Sequence, residues 1–252
     1  MHSATAPAHP PLARVPDGTR VYAVGDVHGR ADLLHRLLAR IEADAATLRD
    51  KRVVLVFLGD YVDRGPDSRP VVERLMAGPP SSGPLAGAEW VCLKGNHEEY
   101  LVRFITETSV GTAWCLNGGL ETVRSYAGRL PEGGESDMAG LQLALSRALP
   151  PAHLRFLSRL RLAHVEGDYM FVHAGIRPGV PLDQQDPADL LWIRDDFLFD
   201  ATPLDKVVVH GHTPSTLPEI RPHRIGIDTA AYRSGQLTAL VLDGTDRSFL
   251  VS

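Results

Sequence analysis

The sequence predicts an α/β fold, because an apolar strand, a polar loop and a helix follow one another three times in succession. The predicted strands are residues 20–24, 53–58 and 89–93. The predicted helices are residues 31–48, 67–76 and 96–106. The run 53–58 has no polar interruption, which is typical of a strand buried on both faces of a parallel or mixed sheet.

Apolar residues at helical spacing support the predicted helices. In the first helix, Leu33, Leu37 and Ile41 recur every four residues and would form one buried face. The second helix can begin at Asp67 or Ser68, since both residue types favour the capping position.

The strand–loop–helix order stops after Thr106. Residues 106–162 are interrupted by glycines and contain helical patterns near 120–126, 138–149 and 151–160. No linker separates this segment, so we predict a helical insertion, shaping one wall of the site, within a single domain of residues 19–252. Residues 1–18 are rich in Ala, Pro and His without an apolar core, and they are predicted to form a disordered N-terminal tail.

Further short elements are predicted in the second half of the chain. Residues 169–172 and 207–209 are predicted strands, and residues 189–194 are a predicted helix whose Trp192 we expect in the core. Three alternating runs are predicted to be antiparallel strands that close a second sheet: residues 224–227, 237–242 and 248–251.

The composition limits the classes of function. The chain has 252 residues, 44% hydrophobic and 23% charged, as in ordinary soluble globular proteins. Its net charge of −5 argues against nucleic-acid binding driven by phosphate attraction. Cys92 and Cys115 do not suggest a disulfide framework. No apolar run approaches the roughly 18 residues that a membrane span requires, so we expect a cytoplasmic protein without membrane contact.

Polar side chains follow five of the predicted strands, at the end where open α/β sheets bind ligands. They are Asp26 and His28; Asp60, Asp63 and Arg64; Asn96 and His97; His173; and His212. Any one of these loops alone would more often be a turn or a capped helix start. Because all five occur together, and carboxylate, amide and imidazole groups suit first-row divalent ions, we predict a metal site.

A two-ion site needs one ligand that bridges both cations, and a carboxylate with two oxygens can do so. Asp60, which follows the central strand, is the predicted bridge. Asp26 and His28 would bind one ion, and Asn96, His173 and His212 would complete the other.

These motifs, in this order, resemble the phosphoprotein phosphatase family of the calcineurin-like metallophosphoesterases, in its bacterial and phage lambda branch. The resemblance is carried by Gly25-Asp26-Val27-His28-Gly29, Gly59 to Gly65, Gly95-Asn96-His97-Glu98, His173-Ala174-Gly175 and Gly211-His212. It implies an αββα sandwich of two mixed sheets, the same metal ligands, and two divalent ions. Mn²⁺ is the expected ion, with Fe, Zn, Ni or Co as alternatives. The resemblance also makes His97, held by Asp63, the proton donor to the leaving group.

Two arginines are predicted to bind the substrate phosphate together with Asn96. Arg64 follows the central metal loop and can grip two phosphate oxygens; the alternative is a salt bridge to Asp67. Arg194 stands in a Trp-X-Arg element similar to that of the bacterial members; the alternative is an exposed arginine paired with Asp195 or Asp196.

The predicted function is a metal-dependent phosphomonoesterase, a serine/threonine protein phosphatase that attacks phosphate esters directly with a metal-bridging hydroxide. Its substrates would be phosphorylated proteins or small phosphoesters, and the chain would be a monomer. The alternative is a dinucleoside polyphosphate hydrolase, such as one that acts on diadenosine tetraphosphate. Symmetrically cleaving relatives typically have Ala in place of Asp63 and Asp in place of Glu98, which favours the phosphatase at this stage. A third hypothesis, an inactive phosphate-binding module, has no support, since every ligand position is occupied by a competent residue.

Overall fold

The computed structural model describes residues 12–48 and 50–252, which form two five-stranded sheets flanked by helices. The strands are β1 Thr19–Val24, β2 Arg52–Phe57, β3 Glu89–Cys92, β4 Ala163–Glu166, β5 Tyr169–Val172, β6 Val207–His210, β7 Glu219–Ile220, β8 Arg224–Gly226, β9 Thr238–Asp243 and β10 Asp246–Val251. The first sheet has the order β10-β9-β1-β2-β3, and the second has the order β4-β5-β6-β8-β7. The predicted αββα sandwich is confirmed.

The helices lie on the outer faces of the two sheets. They are α1 Ala31–Ala45, α2 Ser68–Met76, α3 Asn96–Phe104, α4 Gly111–Trp114, α5 Leu120–Ala127, α6 Met138–Ala148, α7 Pro151–Ser158, α8 Pro187–Trp192, α9 Asp195–Leu198 and α10 Ala231–Ser234. No helix in the described part of the chain is both long and apolar enough to cross a bilayer.

Alternation along the strands divides the core into layers. In β1, Tyr22 and Val24 face α1 and α2, whereas Val21 and Ala23 face the second sheet. Met170 and Val172 of β5 face the opposite outer layer, which α8 and α9 supply. Strands β1, β2, β5 and β6 are therefore covered on both sides, which explains their uninterrupted apolar sequences.

The last two strands do not close the second sheet, so that prediction is wrong. Strand β9 pairs antiparallel with β1, and β10 pairs with β9, so both extend the first sheet. Strand β8 does lie in the second sheet, but it pairs parallel with β6 and antiparallel with β7. Alternating polarity indicates that a strand is half-buried, but it does not indicate which edge the strand joins.

Part of the predicted tail packs against the domain. Val15 is fully buried in the core between the sheets, and its N–H donates to the carbonyl of Gly244, 3.0 Å away. The N–H of Arg14 donates to Asp168 at 2.9 Å. Residues 1–11 of that predicted tail lie outside the described residues.

Candidate metal centre

The centre lies beyond the carboxyl ends of five strands. Strands β1, β2 and β3 run parallel, with Val24 beside Phe57 and Phe57 beside Cys92. Strands β5 and β6 are likewise parallel in the second sheet. Because parallel strands end at one edge of a sheet, the loops after all five strands converge on a buried space between the two sheets.

Asp60, Asn96, His173 and His212 surround one possible ion position. Oδ1 of Asp60 lies 3.4 Å from Nε2 of His173. Oδ1 of Asn96 lies 2.9 Å from that same Nε2 and 3.0 Å from Nδ1 of His212. The structure thus brings together all the residues predicted for the second ion.

The other oxygen of Asp60 faces a second group of imidazoles. Oδ2 lies 3.5 Å from Nε2 of His28 and 3.8 Å from Nε2 of His97. Asp60 therefore belongs to two triads of potential ligands, His28–Asp60–His97 and Asp60–His173–His212. A carboxylate shared in this way is the arrangement that a bridging ligand requires.

Asp26 is buried beside these triads but is not a member of either. Its Oδ2 accepts the N–H of His212 at 3.0 Å, whereas its buried Oδ1 has no hydrogen-bond partner. An unpaired buried carboxylate oxygen is costly, and a cation would compensate it. This orphaned oxygen supports the fit between the residues present and a metal ion.

Hydrogen bonds from the rings orient two of the histidines. Nδ1 of His28 lies 3.0 Å from the carbonyl of Val62, and Nδ1 of His173 lies 3.0 Å from that of Leu58. Each Nδ1 donates its proton to a carbonyl, so each Nε2 presents a lone pair towards Asp60. Backbone carbonyls commonly orient histidine ligands of metals in this way.

The carboxylates in this space are electrostatically unbalanced without a cation. Burial raises the pKa of Asp26 well above its ordinary value, and the neighbouring Asp228 and Asp60 raise it further. Burial also raises the pKa of Asp60, but the four surrounding histidines outweigh burial and lower it. Burial and the proximity of His173 lower the pKa of His212 to about 2, so this ring is neutral and able to bind metal.

Glu98 holds the central loop in place, a role that the sequence did not reveal. Its Oε2 accepts the N–H groups of Asp60 at 2.8 Å and Gly95 at 2.9 Å. Its Oε1 accepts those of Tyr61 at 2.8 Å and Val62 at 3.3 Å. One fully buried carboxylate thereby joins the loop after β2 to the start of α3.

The site loops have an unusual backbone conformation. Five of the predicted site residues have positive φ angles between 44° and 71°: His28, Asp60, Asp63, Arg64 and His212. Such angles cost about 1–3 kcal/mol each in non-glycine residues and concentrate at functional sites. A side chain at Gly95 would collide with the carboxylate of Asp60, so glycine is required there.

The predicted pairing of His97 with Asp63 is present. Nδ1 of His97 lies 2.6 Å from Oδ2 of Asp63. The same oxygen accepts Nε1–H of Trp114 at 2.8 Å, and Oδ1 accepts the hydroxyl of Thr122 at 2.6 Å. Burial lowers the pKa of His97, but Asp60 and Asp63 outweigh burial and raise it.

Trp114 and Thr122 belong to the predicted insertion, and their contribution was missed. The carbonyl of Gly118, midway between them, accepts the N–H of Arg64 at 3.1 Å. Trp114 and Thr122 lie on either side of a kink at Gly118, where φ is 104°, so regular helical spacing does not relate them. No motif accompanies them, so the sequence carries no signal for their contact with Asp63.

The two predicted phosphate-binding arginines lie on the rim and contact imidazoles. Nη2 of Arg64 lies 3.2 Å from Nε2 of His97, and its guanidinium lies 4.9 Å from the ring centre of Tyr232. Nε of Arg194 donates to Nε2 of His212 at 3.1 Å. Asp196, one of the alternative partners of Arg194, pairs instead with Arg177 at 2.7 Å.

Three other residues near the centre have distinct positions. His210 is buried behind the centre, where its ring lies against the carbonyl of Gly211 and against Arg224. Asp228 is buried near Asp26 and accepts the N–H of Ala230 at 2.8 Å. Trp192 is 39% exposed at the rim, so its predicted place in the core is wrong.

Curated relatives overturn the predicted substrate. The chain is 26% identical over 231 residues to bis(5'-nucleosyl)-tetraphosphatase PrpE [asymmetrical] of Anoxybacillus flavithermus, a match that covers 86% of this chain and 88% of the relative. The same enzyme of Bacillus cereus strain Q1 is 28% identical over 239 residues, with the same coverage. The prediction of a serine/threonine protein phosphatase is therefore wrong, and the relatives favour the alternative.

Solved structures share the fold. A protein provisionally named as a diadenosine tetraphosphatase has a TM-score of 0.61 at 22% identity, covering 95% of this chain and 98% of that one. A serine/threonine phosphatase from Saccharomyces cerevisiae has a TM-score of 0.53 at 14% identity, covering 93% and 79%. At these identities the similarity concerns the fold alone.

A sequence model of one family spans almost all of the sandwich and all of the strand-end loops. It is described as calcineurin-like phosphoesterase and matches residues 19–237. The chain belongs to the calcineurin-like phosphoesterase family.

Proposed function

We propose that the protein hydrolyses dinucleoside tetraphosphates asymmetrically, converting diadenosine tetraphosphate to ATP and AMP. The observation that carries this proposal is the pair of triads sharing Asp60, in a chain whose relatives along 86% of its length are asymmetrical tetraphosphatases.

Six residues would hold the two ions: Asp26, His28, Asp60, Asn96, His173 and His212. When bound, divalent ions generate a water-derived nucleophile near neutral pH and polarise phosphoryl oxygens. In the net reaction, the water oxygen bonds to phosphorus and the phosphoanhydride bond to the leaving nucleotide breaks. The tetraphosphate remains bound to the rim while this occurs.

Arg64 and Arg194 would bind the polyphosphate. Each guanidinium lies at the edge of the centre, and each contacts an imidazole nitrogen instead of a carboxylate. A phosphate oxygen is a stronger acceptor, and guanidinium groups match its geometry in bidentate fashion. The two arginines would also offset the negative charge that accumulates on the equatorial oxygens.

His97 would protonate the leaving nucleotide. Its Nδ1 is committed to Asp63, so its Nε2 faces the centre, 3.8 Å from Asp60. Asp63 is in turn held by Trp114 and Thr122, which fixes the ring in this orientation. A positioned acid of this kind contributes typically about 10²–10⁴ in rate.

Product analysis tests this function. The protein is incubated with diadenosine tetraphosphate and a divalent ion, and the nucleotides are separated by anion-exchange chromatography. We expect ATP and AMP in equal amounts and no turnover after chelation. Formation of ADP alone would contradict the asymmetric cut, and failure to consume the substrate with any divalent ion would overturn the function.

The finer properties extend this proposal. We expect Mn²⁺ at both positions and a cytoplasmic monomer. Elemental analysis of the isolated protein tests the identity of the metal, and size-exclusion chromatography with light scattering tests the monomeric state.

A further inference from the structure

We propose that Trp192 binds one adenine base of the substrate by stacking and thereby places the adjoining α-phosphorus at the metal centre. This inference rests on the proposed function. A dinucleoside tetraphosphate differs from a nucleoside triphosphate or pyrophosphate in having a base at each end. A protein that selects it therefore needs an aromatic or apolar surface within reach of the centre.

Trp192 is placed for this contact. Its ring centre lies 6.3 Å from that of His212, a predicted metal ligand, and its side chain is 39% exposed. The residue two positions later, Arg194, donates through Nε to Nε2 of the same His212. One short segment thus presents an indole for a base and a guanidinium for a phosphate, both next to the same ligand.

The indole is held in a fixed orientation. Tyr100 of α3 packs edge-to-face against it, with ring centres 5.0 Å apart and an angle of 82° between the planes. Such a pair restricts the rotation of Trp192, so a base would stack without a large cost in side-chain entropy. Burial in the core does not explain the position, because the exposed fraction is too large.

A cleft of about 500 Å³ opens beside Trp192 and is large enough for a nucleoside. Its polar lining includes Lys94, Glu99 and Asp186. Lys94 immediately precedes the Gly95-Asn96 loop of the centre and pairs with Glu99 at 3.1 Å, and the carboxylate of Asp186 can accept a hydrogen bond from the amino group of adenine. Trp192 lines both this cleft and a neighbouring one that contains Arg194, so the surface for a base adjoins a phosphate-binding arginine.

Tyr232 is a second aromatic residue beside the centre, but its ring is already in use. Arg64 lies over it at 4.9 Å, and His28 packs against it with ring centres 5.4 Å apart. A base could stack there only by displacing Arg64. Trp192 is consequently the better platform.

The short distance between Trp192 and His212 also accounts for an asymmetric cut. In the substrate, each α-phosphorus is separated from its base by one sugar, whereas the middle of the tetraphosphate is further along the chain. A base held this close to the centre brings the α-phosphorus to the ions, and cleavage there releases AMP and ATP.

Paired ligands test the role of Trp192. The metal-loaded protein is titrated calorimetrically with AMP and with ribose 5-phosphate, which is the same molecule without its base. In the wild type we expect AMP to bind about 5- to 150-fold more tightly, the range that stacking of one base on an aromatic side chain produces. Trp192→Ala should reduce this preference to about 2-fold or less, and Trp192→Phe should restore most of it.

Kinetics supply a second measurement. Trp192→Ala should raise KM for diadenosine tetraphosphate by the same factor as the lost preference, with Trp192→Phe again close to the wild type. The matched control is Phe199→Ala, which removes an aromatic side chain that is 80% exposed and lines a different cleft. It should leave both the preference and KM unchanged.

Two results would overturn this inference: a wild type that binds both ligands equally, or a Trp192→Ala variant that keeps the preference for AMP. Neither depends on turnover, so the failure of the inference is distinct from the failure of the proposed function. An enzyme that forms ATP and AMP but ignores the loss of Trp192 would retain the function and lose the base site.

Discussion

The strand-end loops and the helical insertion contribute to the centre in different ways. The loops after β1, β2, β3, β5 and β6 present the predicted metal ligands, and four pairs of these ligands have polar atoms 2.9–3.5 Å apart. The insertion supplies no predicted ligand, yet Trp114 and Thr122 hold Asp63, and Asp63 holds His97. The insertion therefore supports the proton donor but supplies no predicted metal ligand, so a substitution in it can affect proton donation without affecting metal binding.

The largest effect is expected at the residue on which both ion positions depend. Asp60→Asn leaves one amide oxygen where a bridge needs two carboxylate oxygens. The ion content should therefore fall from two per chain towards none, and turnover should fall to background. Elemental analysis and a diadenosine tetraphosphate assay measure these quantities. Asp67→Asn, in the same loop but outside both triads, is the control, and retention of two ions by Asp60→Asn would contradict the bridge.

A smaller effect, without loss of metal, is expected for the proton donor. His97→Asn should lower turnover by about 10²–10⁴-fold while two ions remain bound. His97 also belongs to a potential ligand triad, so a parallel loss of one ion would show that it acts as a ligand instead. His35→Asn, on the exposed face of α1, should change neither quantity.

The smallest effect is expected from the insertion. Thr122→Val removes, at nearly constant volume, the hydroxyl that donates to Oδ1 of Asp63 and accepts the N–H of the same residue, and turnover should fall by about 10-fold with unchanged metal content. The free energy of unfolding should fall by about 1.5–3 kcal/mol, because a buried carboxylate loses a donor. The control for stability is Thr19→Val, which replaces a buried threonine at the end of β1 that is remote from the centre. Unchanged turnover would mean that the insertion only covers the core.

The ligands could be predicted from the sequence because each directly follows an apolar strand within a short motif. Trp114 and Thr122 could not be predicted in the same way, since they contact Asp63 across 51 and 59 residues of chain. Helical periodicity indicates which side of a helix is buried, but it does not indicate which residues that side contacts. Trp192 was misplaced for the same reason, because an apolar residue in a short helix does not reveal whether its side of the helix is covered.

Strand pairing and the substrate were the other features that could not be predicted from the sequence. The alternation in β9 and β10 indicated strands correctly, but the pairing with β1 depends on contacts far along the chain. Asp63 and Glu98 support the geometry of the centre and of the loop around it, so they report on phosphoryl transfer in general. The group attached to the phosphate is selected outside these motifs, which is why they led to the wrong substrate.

The segment that contains Val15 has a consequence for where the folding unit starts. The family match begins at Thr19, but Val15 fills the space between the sheets at the end remote from the ions, and its neighbours tie the turn after β4 to the turn after β9. A version shortened to Thr19 would open that end of the sandwich to water while leaving every catalytic group in place. The shortest segment that folds stably is therefore expected to start earlier than the segment that the family model matches.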